Sequence, residues 1–293
     1  MRRLVLLLLA FGMHMDVAPN TAHAADWNPL AALPQARHGA AATELGGRVF
    51  VLGGRGPGDL ANTTVWDPGT GVWSEAAAMS QPRFQGGAAA LGGFVYAIGG
   101  SDMFAMPTIN MERFDPGANA WGSRSGLPGS RAAMATAAVG GGIVVAGGVS
   151  DEGLLATECY RYDPAADQWS VIGSLSQPRA GAAAAVLGDR MWVMGGSDGA
   201  PSARVDVYDA TSGAWSTGPD LPEPLQDAAA ATFDGRVWIM GGLDVNQALS
   251  ARVYSAGADG VWQPESALPA VSSGGFAVAT STECVMVGRG LDA

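Results

Sequence analysis

The chain contains no lysine: its 16 basic residues are all arginine, set against 27 acidic ones, for a formal net charge of −11. A nucleic-acid surface needs a basic footprint to release counterions, so nucleic acid is excluded as a partner, and an anionic membrane is an equally poor one. Histidine is scarce, and only His38 lies beyond residue 24. One histidine cannot build zinc-ligand spacing, and it leaves a single possible centre for a Ser-His-Asp triad. No serine stands in a Gly-x-Ser-x-Gly pattern on a strand-to-helix elbow. Asp-Gly pairs such as Asp198-Gly199 lack the alternating acids of a calcium loop. The many Gly-Gly pairs precede strands, so no dinucleotide fold is indicated. Metal and cofactor are therefore expected to be absent, and no catalytic residue is assigned. Cys159 and Cys284 are the only cysteines.

Long apolar runs are also lacking, with one exception at the start. Arg2 and Arg3 precede an apolar run from Leu4 to Met13, and Ala22-His23-Ala24 offers small residues where a signal peptidase reads. The run is too short to span a bilayer. Residues 1–24 are expected to be a secretory leader, cleaved near Ala24/Ala25, with 25–293 a single periplasmic or secreted domain.

What is abundant is repetition. Trp27, Trp73, Trp121, Trp169, Trp215 and Trp262 each stand 26 residues before a glycine, at 53, 99, 147, 195, 241 and 288, in units of 46 to 48 residues. Such a period marks a propeller or solenoid. Cys159 and Cys284 then fall in the third and sixth units, on opposite sides of a ring. No disulfide joins them at that separation, and both read as small buried hydrophobes.

Within one unit, the run Gly86 to Leu91, the turn Gly92-Gly93 and the strand from Phe94 to Ile98 form an antiparallel hairpin. A variable stretch follows, then Met111 to Phe114, the turn Asp115-Pro116-Gly117, and a strand carrying Trp121. Ala40 to Ala42, Ala88 to Ala90, Ala182 to Ala185 and Ala228 to Ala231 favour helix by intrinsic preference. Their constant register before a clear strand argues otherwise. Strands crowding a central axis need small side chains.

The Gly-Gly doublets at 53, 99, 147, 195 and 241 and the turns Trp66-Asp67-Pro68, Phe114-Asp115-Pro116, Tyr162-Asp163-Pro164 and Tyr208-Asp209, each followed by a tryptophan, resemble kelch repeats. The resemblance implies an all-β fold: a six-bladed β-propeller of four-stranded blades around a channel. Departures occur late, at Tyr254-Ser255-Ala256 and Gly288-Arg289. The chain ends at Ala293, so the sixth blade is expected to be closed by the N-terminal strand at Trp27 and to lack a full strand complement. Galactose oxidase shares the architecture, but its copper needs several histidines, and that chemistry is excluded here.

Ten residues after each of four tryptophans stands an arginine: Arg37, Arg83, Arg131 and Arg179; Leu225 and Ser272 take the last two places. In kelch propellers this connection opens on one channel mouth, together with the loops after Gly-Gly. Two readings stay open. The arginines form a partial ring for carboxylates, or they brace neighbouring blades. The loops add Arg55, Asp59, Asp102, Asp151, Asp198 and Asp244 as binding candidates. The expected function is a monomeric interaction module that holds a protein segment or acidic carbohydrate at this mouth. The alternative is a sugar mutarotase similar to the exported kelch propeller N-acetylneuraminate epimerase, with an arginine gripping the substrate carboxylate.

Overall fold

The computed structural model describes residues 2–8, 12–17, 27–281 and 283–289. Five successive sheets are four-stranded antiparallel blades. Their inner strands are Ala41–Leu45, Gly87–Leu91, Ala135–Val139, Ala183–Leu187 and Ala229–Phe233. The alanine runs are thus strands. Two stacked levels of these strands and of Ser273–Ala279 line the channel, as the taper argument requires, and the connections that enter them line its mouth. Each second strand, such as Arg48–Leu52 or Arg236–Met240, buries its four C-terminal residues between blades. The cores are correspondingly inter-blade: Phe50 and Leu52 of the first blade pack with Val95, Ala97 and Phe114 of the second. Cys159 and Cys284 are free and fully buried, and burial pushes the Cys159 thiol up to about 12.

The fixed tryptophan has two tasks. It packs on the aromatic directly across the sheet, with ring centroids 5.2 Å apart for Phe114–Trp121, Tyr162–Trp169 and Tyr208–Trp215. Its indole N–H also reaches back a full repeat: Trp73 to Ala31 O, Trp121 to Ala77 O, Trp169 to Ser125 O and Trp262 to Pro219 O, at 2.8–3.0 Å. In the fifth blade Ala256 replaces the aromatic partner, and Trp262 instead meets Trp192 of the fourth blade edge-on.

The sixth sheet corrects the expectation of a six-bladed ring closed by the N-terminal strand at Trp27: among the described residues five blades are complete four-stranded sheets, and this one is assembled differently. Ser273–Ala279 and Glu283–Arg289 pair as its inner hairpin. Next to Glu283–Arg289 lies Arg2–Leu8, in parallel, followed by Gly12–Val17. The sheet thus has five strands, two of them from the residues before 25. Asn28–Pro29 pairs with Arg2–Leu8 and not with the C-terminal hairpin. From residue 25 onward, only that hairpin and this two-residue strand contribute. The physical reason is the unpaired edge of Glu283–Arg289, whose N–H and C=O groups any extended segment can satisfy. Trp27 nevertheless occupies the sixth tryptophan position, its indole N–H pointing to Ser266 O at 3.4 Å.

A closed circle of six backbone hydrogen bonds ties all six units together at one channel mouth. Gln85 N–H donates to Gly39 O, Ala133 to Gln85, Gly181 to Ala133, Asp227 to Gly181, Gly274 to Asp227, and Gly39 to Gly274, at 2.6–3.3 Å. Each member stands 12 residues after a tryptophan. All six have left-handed backbone, with φ between 51° and 64°. That conformation costs about 1 kcal/mol for a residue with a Cβ, and Gln85, Ala133 and Asp227 adopt it regardless. The circle holds them there.

Candidate binding site at the channel mouth

The four arginines lie in the blade joints and not in the channel. Arg37, Arg83, Arg131 and Arg179 are buried, and each guanidinium reaches the top of the blade its own connection enters. Arg37 donates to Gly53 O, Asn62 Oδ1 and Thr64 Oγ1 at 2.9–3.2 Å. Arg83 donates to Gly99 O and Asn110 O, and pairs with Glu112 at 2.6 Å. Arg131 meets Glu158 and Tyr160 Oη at 3.1 and 3.2 Å. Arg179 pairs with Asp206 at 2.7 Å. Burial lowers the pKa of Arg37 and Arg83 against the opposing pull of Glu75 and Glu112.

The main chain of the same residues completes the joint. Arg83 O, Arg131 O and Arg179 O accept from the second glycine of the preceding blade's doublet, Gly54, Gly100 and Gly148, at 2.8–2.9 Å. Leu225 O and Ser272 O do the same for Gly196 and Gly242, so the two units without arginine keep the backbone half of the joint. This explains the doublet: a Cβ on Gly99 or Gly147 would lie 2.6 Å from the next joint carbonyl. The arginine ring for carboxylates is therefore corrected to a set of inter-blade braces, because each guanidinium already has protein acceptors.

The mouth itself is a cavity of about 370 Å³ bounded by the hydrogen-bonded circle. Its polar lining comes from His38, Gln85, Asp227 and Ser273, and its apolar lining from Phe84, Met134 and Leu243. No arginine lines it among the described residues. Asp227 is the distinctive group. It is the only acid in the circle, its carboxylate has no hydrogen-bond partner or ion pair among the described residues, and burial alone raises its pKa above the ordinary carboxylate range. It also rests on Gly181, where any Cβ would collide with its Oδ1.

The candidate loop residues stand around this cavity without converging on it. Arg55 lies with its guanidinium carbon 3.8 Å from the Phe84 ring centroid and pairs with Asp59, whose hydrogen bond raises its pKa. Asp102 and Asp244 accept backbone N–H groups of their own loops, from Phe104 and Met106 and from Asn246 and Ala248. Asp151 accepts from Ser130 Oγ at 2.7 Å, and Asp198 is an exposed turn residue. Between them the loops display apolar tips: Phe104 is 77% exposed, with Met103, Met106, Leu154 and Val245 also open.

Sequence spacing alone does not single out Asp227, since the arginines two residues before the equivalent position in four of the six units are the louder signal. The trace is in the residues 12 after each tryptophan, which read Gly39, Gln85, Ala133, Gly181, Asp227 and Gly274. Four are small. The two exceptions face the cavity.

The raised pKa gives a signed prediction. Between the ordinary 3.8 and the raised folded value, the folded protein retains a proton that the unfolded chain has released, so stability falls as pH rises through that window. Asp227→Asn tolerates the left-handed backbone and removes the ionisation. Its melting temperature should match the parent's below pH 3.8 and exceed it at neutral pH. An equal or lower melting temperature at neutral pH would show that the carboxylate has a stabilising partner.

The kelch motif matches residues 36–80, 82–121, 130–176 and 178–222, more than half of the chain. A solved structure titled "Structure of YjhT" superimposes with a TM-score of 0.78, covering 89% of this chain and 93% of that chain at 18% identity, a likeness of fold. No curated protein matches in sequence. Four successive matches, each falling on one of the blades described above, make this chain a member of the kelch-repeat family.

Proposed function

We propose that this chain is an exported kelch propeller that binds a partner protein segment at the mouth bearing Asp227. The supporting observation is that one rim gathers a cavity, a carboxylate without a partner among the described residues, and exposed apolar tips, on loops held by a rigid ring. The opposite mouth carries tight turns such as Gly92-Gly93 and Gly140-Gly141. An acidic glycan is the weaker ligand, since the four buried arginines are engaged and Arg55 is tied to Asp59. Residues 25–293 are the working unit after loss of the leader, with the Trp27 strand and the C-terminal hairpin acting as a sixth blade. Intact mass of the exported protein should then place its first residue near Ala25.

The test is an unbiased peptide library selected on the purified protein. Selected binders should lose affinity on Phe104→Ala and Leu154→Ala, and keep it on Val72→Ala and Val171→Ala, exposed positions on outer strands. The reverse pattern would move the binding surface elsewhere. The sugar-mutarotase reading retains one supporting feature: a carboxylate with a raised pKa is suited to acid–base work. It predicts faster anomer equilibration of sialic acid by NMR, abolished in Asp227→Asn.

A further inference from the structure

Charge around the mouth runs opposite to what the arginine series implies. The cations of that series are buried in the joints, each facing oxygen acceptors. On the rim, Asp102, Asp151, Asp198 and Asp244 have no arginine partner among the described residues, and the whole chain is strongly acidic. Arg55, which stacks on the cavity-wall residue Phe84, is balanced by Asp59. The apolar tips and the cavity form one surface. Phe84 lines the cavity and exchanges backbone hydrogen bonds with Ser101, next to the loop bearing Met103 and Phe104. Leu243 lines it and pairs with Gln226, beside Asp227 and the loop bearing Val245.

We infer that the occupant of this mouth is a basic, amphipathic protein segment: a lysine or arginine enters the cavity against Asp227, and flanking apolar side chains pack on Phe104 and Met103. This rests on the interaction-module reading and specifies its partner. The rim acids add long-range attraction and speed of encounter, with the salt dependence such steering carries. Asp227 supplies the short-range term. Its carboxylate is half-buried on the cavity wall and has no protein partner among the described residues, so an entering cation offsets the desolvation that burial imposes. An acidic segment would meet the rim acids and Asp227 as like charges, and is rejected.

The experiment compares three labelled dodecapeptides by fluorescence anisotropy: arginine alternating with leucine, and the same peptide with glutamate or with glutamine in place of arginine. The arginine peptide should bind, weaken as salt rises, and lose about tenfold or more in affinity with Asp227→Asn or Phe104→Ala. Asp163→Asn, in a turn at the opposite end of its blade, should leave binding unchanged. If the glutamate peptide binds better and is sensitive to Phe104→Ala, the charge assignment is overturned and the mouth reading stands. Arginine-peptide binding that is indifferent to both mouth variants would overturn both. If no peptide of the three binds, the basic-segment assignment fails, while the library selection still decides the mouth reading by itself.

Discussion

Arg179→Leu lowers the unfolding free energy by about 3–5 kcal/mol, the range for breaking a buried ion pair by removing one partner. The pair is nearly inaccessible, with side-chain exposures of 1% for Arg179 and 4% for Asp206. Leucine leaves Asp206 with only the Ser176 N–H and hydroxyl, at 3.3 and 3.1 Å. The chain carries its own template for the repair. In the fifth blade the joint residue is Leu225, fully buried, and the residue equivalent to Asp206 is Tyr254, whose hydroxyl donates to Glu223 at 3.0 Å. Adding Asp206→Tyr to Arg179→Leu should therefore recover most of the loss, the introduced hydroxyl facing Gln177, which stands where Glu223 stands in the fifth blade. Urea unfolding of the parent, the two single variants and the double variant gives the coupling directly. Additive losses would mean that the two side chains do not act as one brace.

Gly195→Ala should cost about 4 kcal/mol or more, among the large single-residue effects that trace to a named clash. Gly195 has φ +64°, and a Cβ there would collide with Leu225 O, the carbonyl that accepts from Gly196 at 2.9 Å. The alanine must push the connection away and lose the backbone half of the joint. Gly188→Ala is the matched control. It has nearly the same φ, +61°, in the hairpin turn of the same blade, with nothing near the added methyl. It should lose only the about 1–2 kcal/mol of left-handed backbone. Similar losses in the two variants would reduce the doublet to a turn preference and remove the close approach as its cause.

Much of the blade was readable because its signals are local. The glycine turns, the doublets and the tryptophans mark strand ends within a few residues, and they recur often enough to override the helix preference of the alanine runs. The arginines were located by the same spacing but not interpreted by it. Equal spacing makes Arg37, Arg83, Arg131 and Arg179 equivalent in place, yet it does not state whether a guanidinium turns to the channel or to the joint. Their partners, Thr64, Glu112, Tyr160 and Asp206, share one position on the third strand of each blade. That matching is visible in sequence once the strand pairing is known.

Two features lay beyond spacing. Arg2–Leu8 enters the sixth sheet because Glu283–Arg289 has an open edge, and edge pairing joins residues from opposite ends of the chain. The mouth arises because Gln85 and Asp227, 142 positions apart, are carried by the closed hydrogen-bonded circle onto one rim. The order of residues by itself determined the repeating unit, its strands and the family, since turn chemistry and side-chain size act between near neighbours. Only the tertiary structure decided which charges are consumed in the joints and which carboxylate faces the cavity, because both depend on closing the ring.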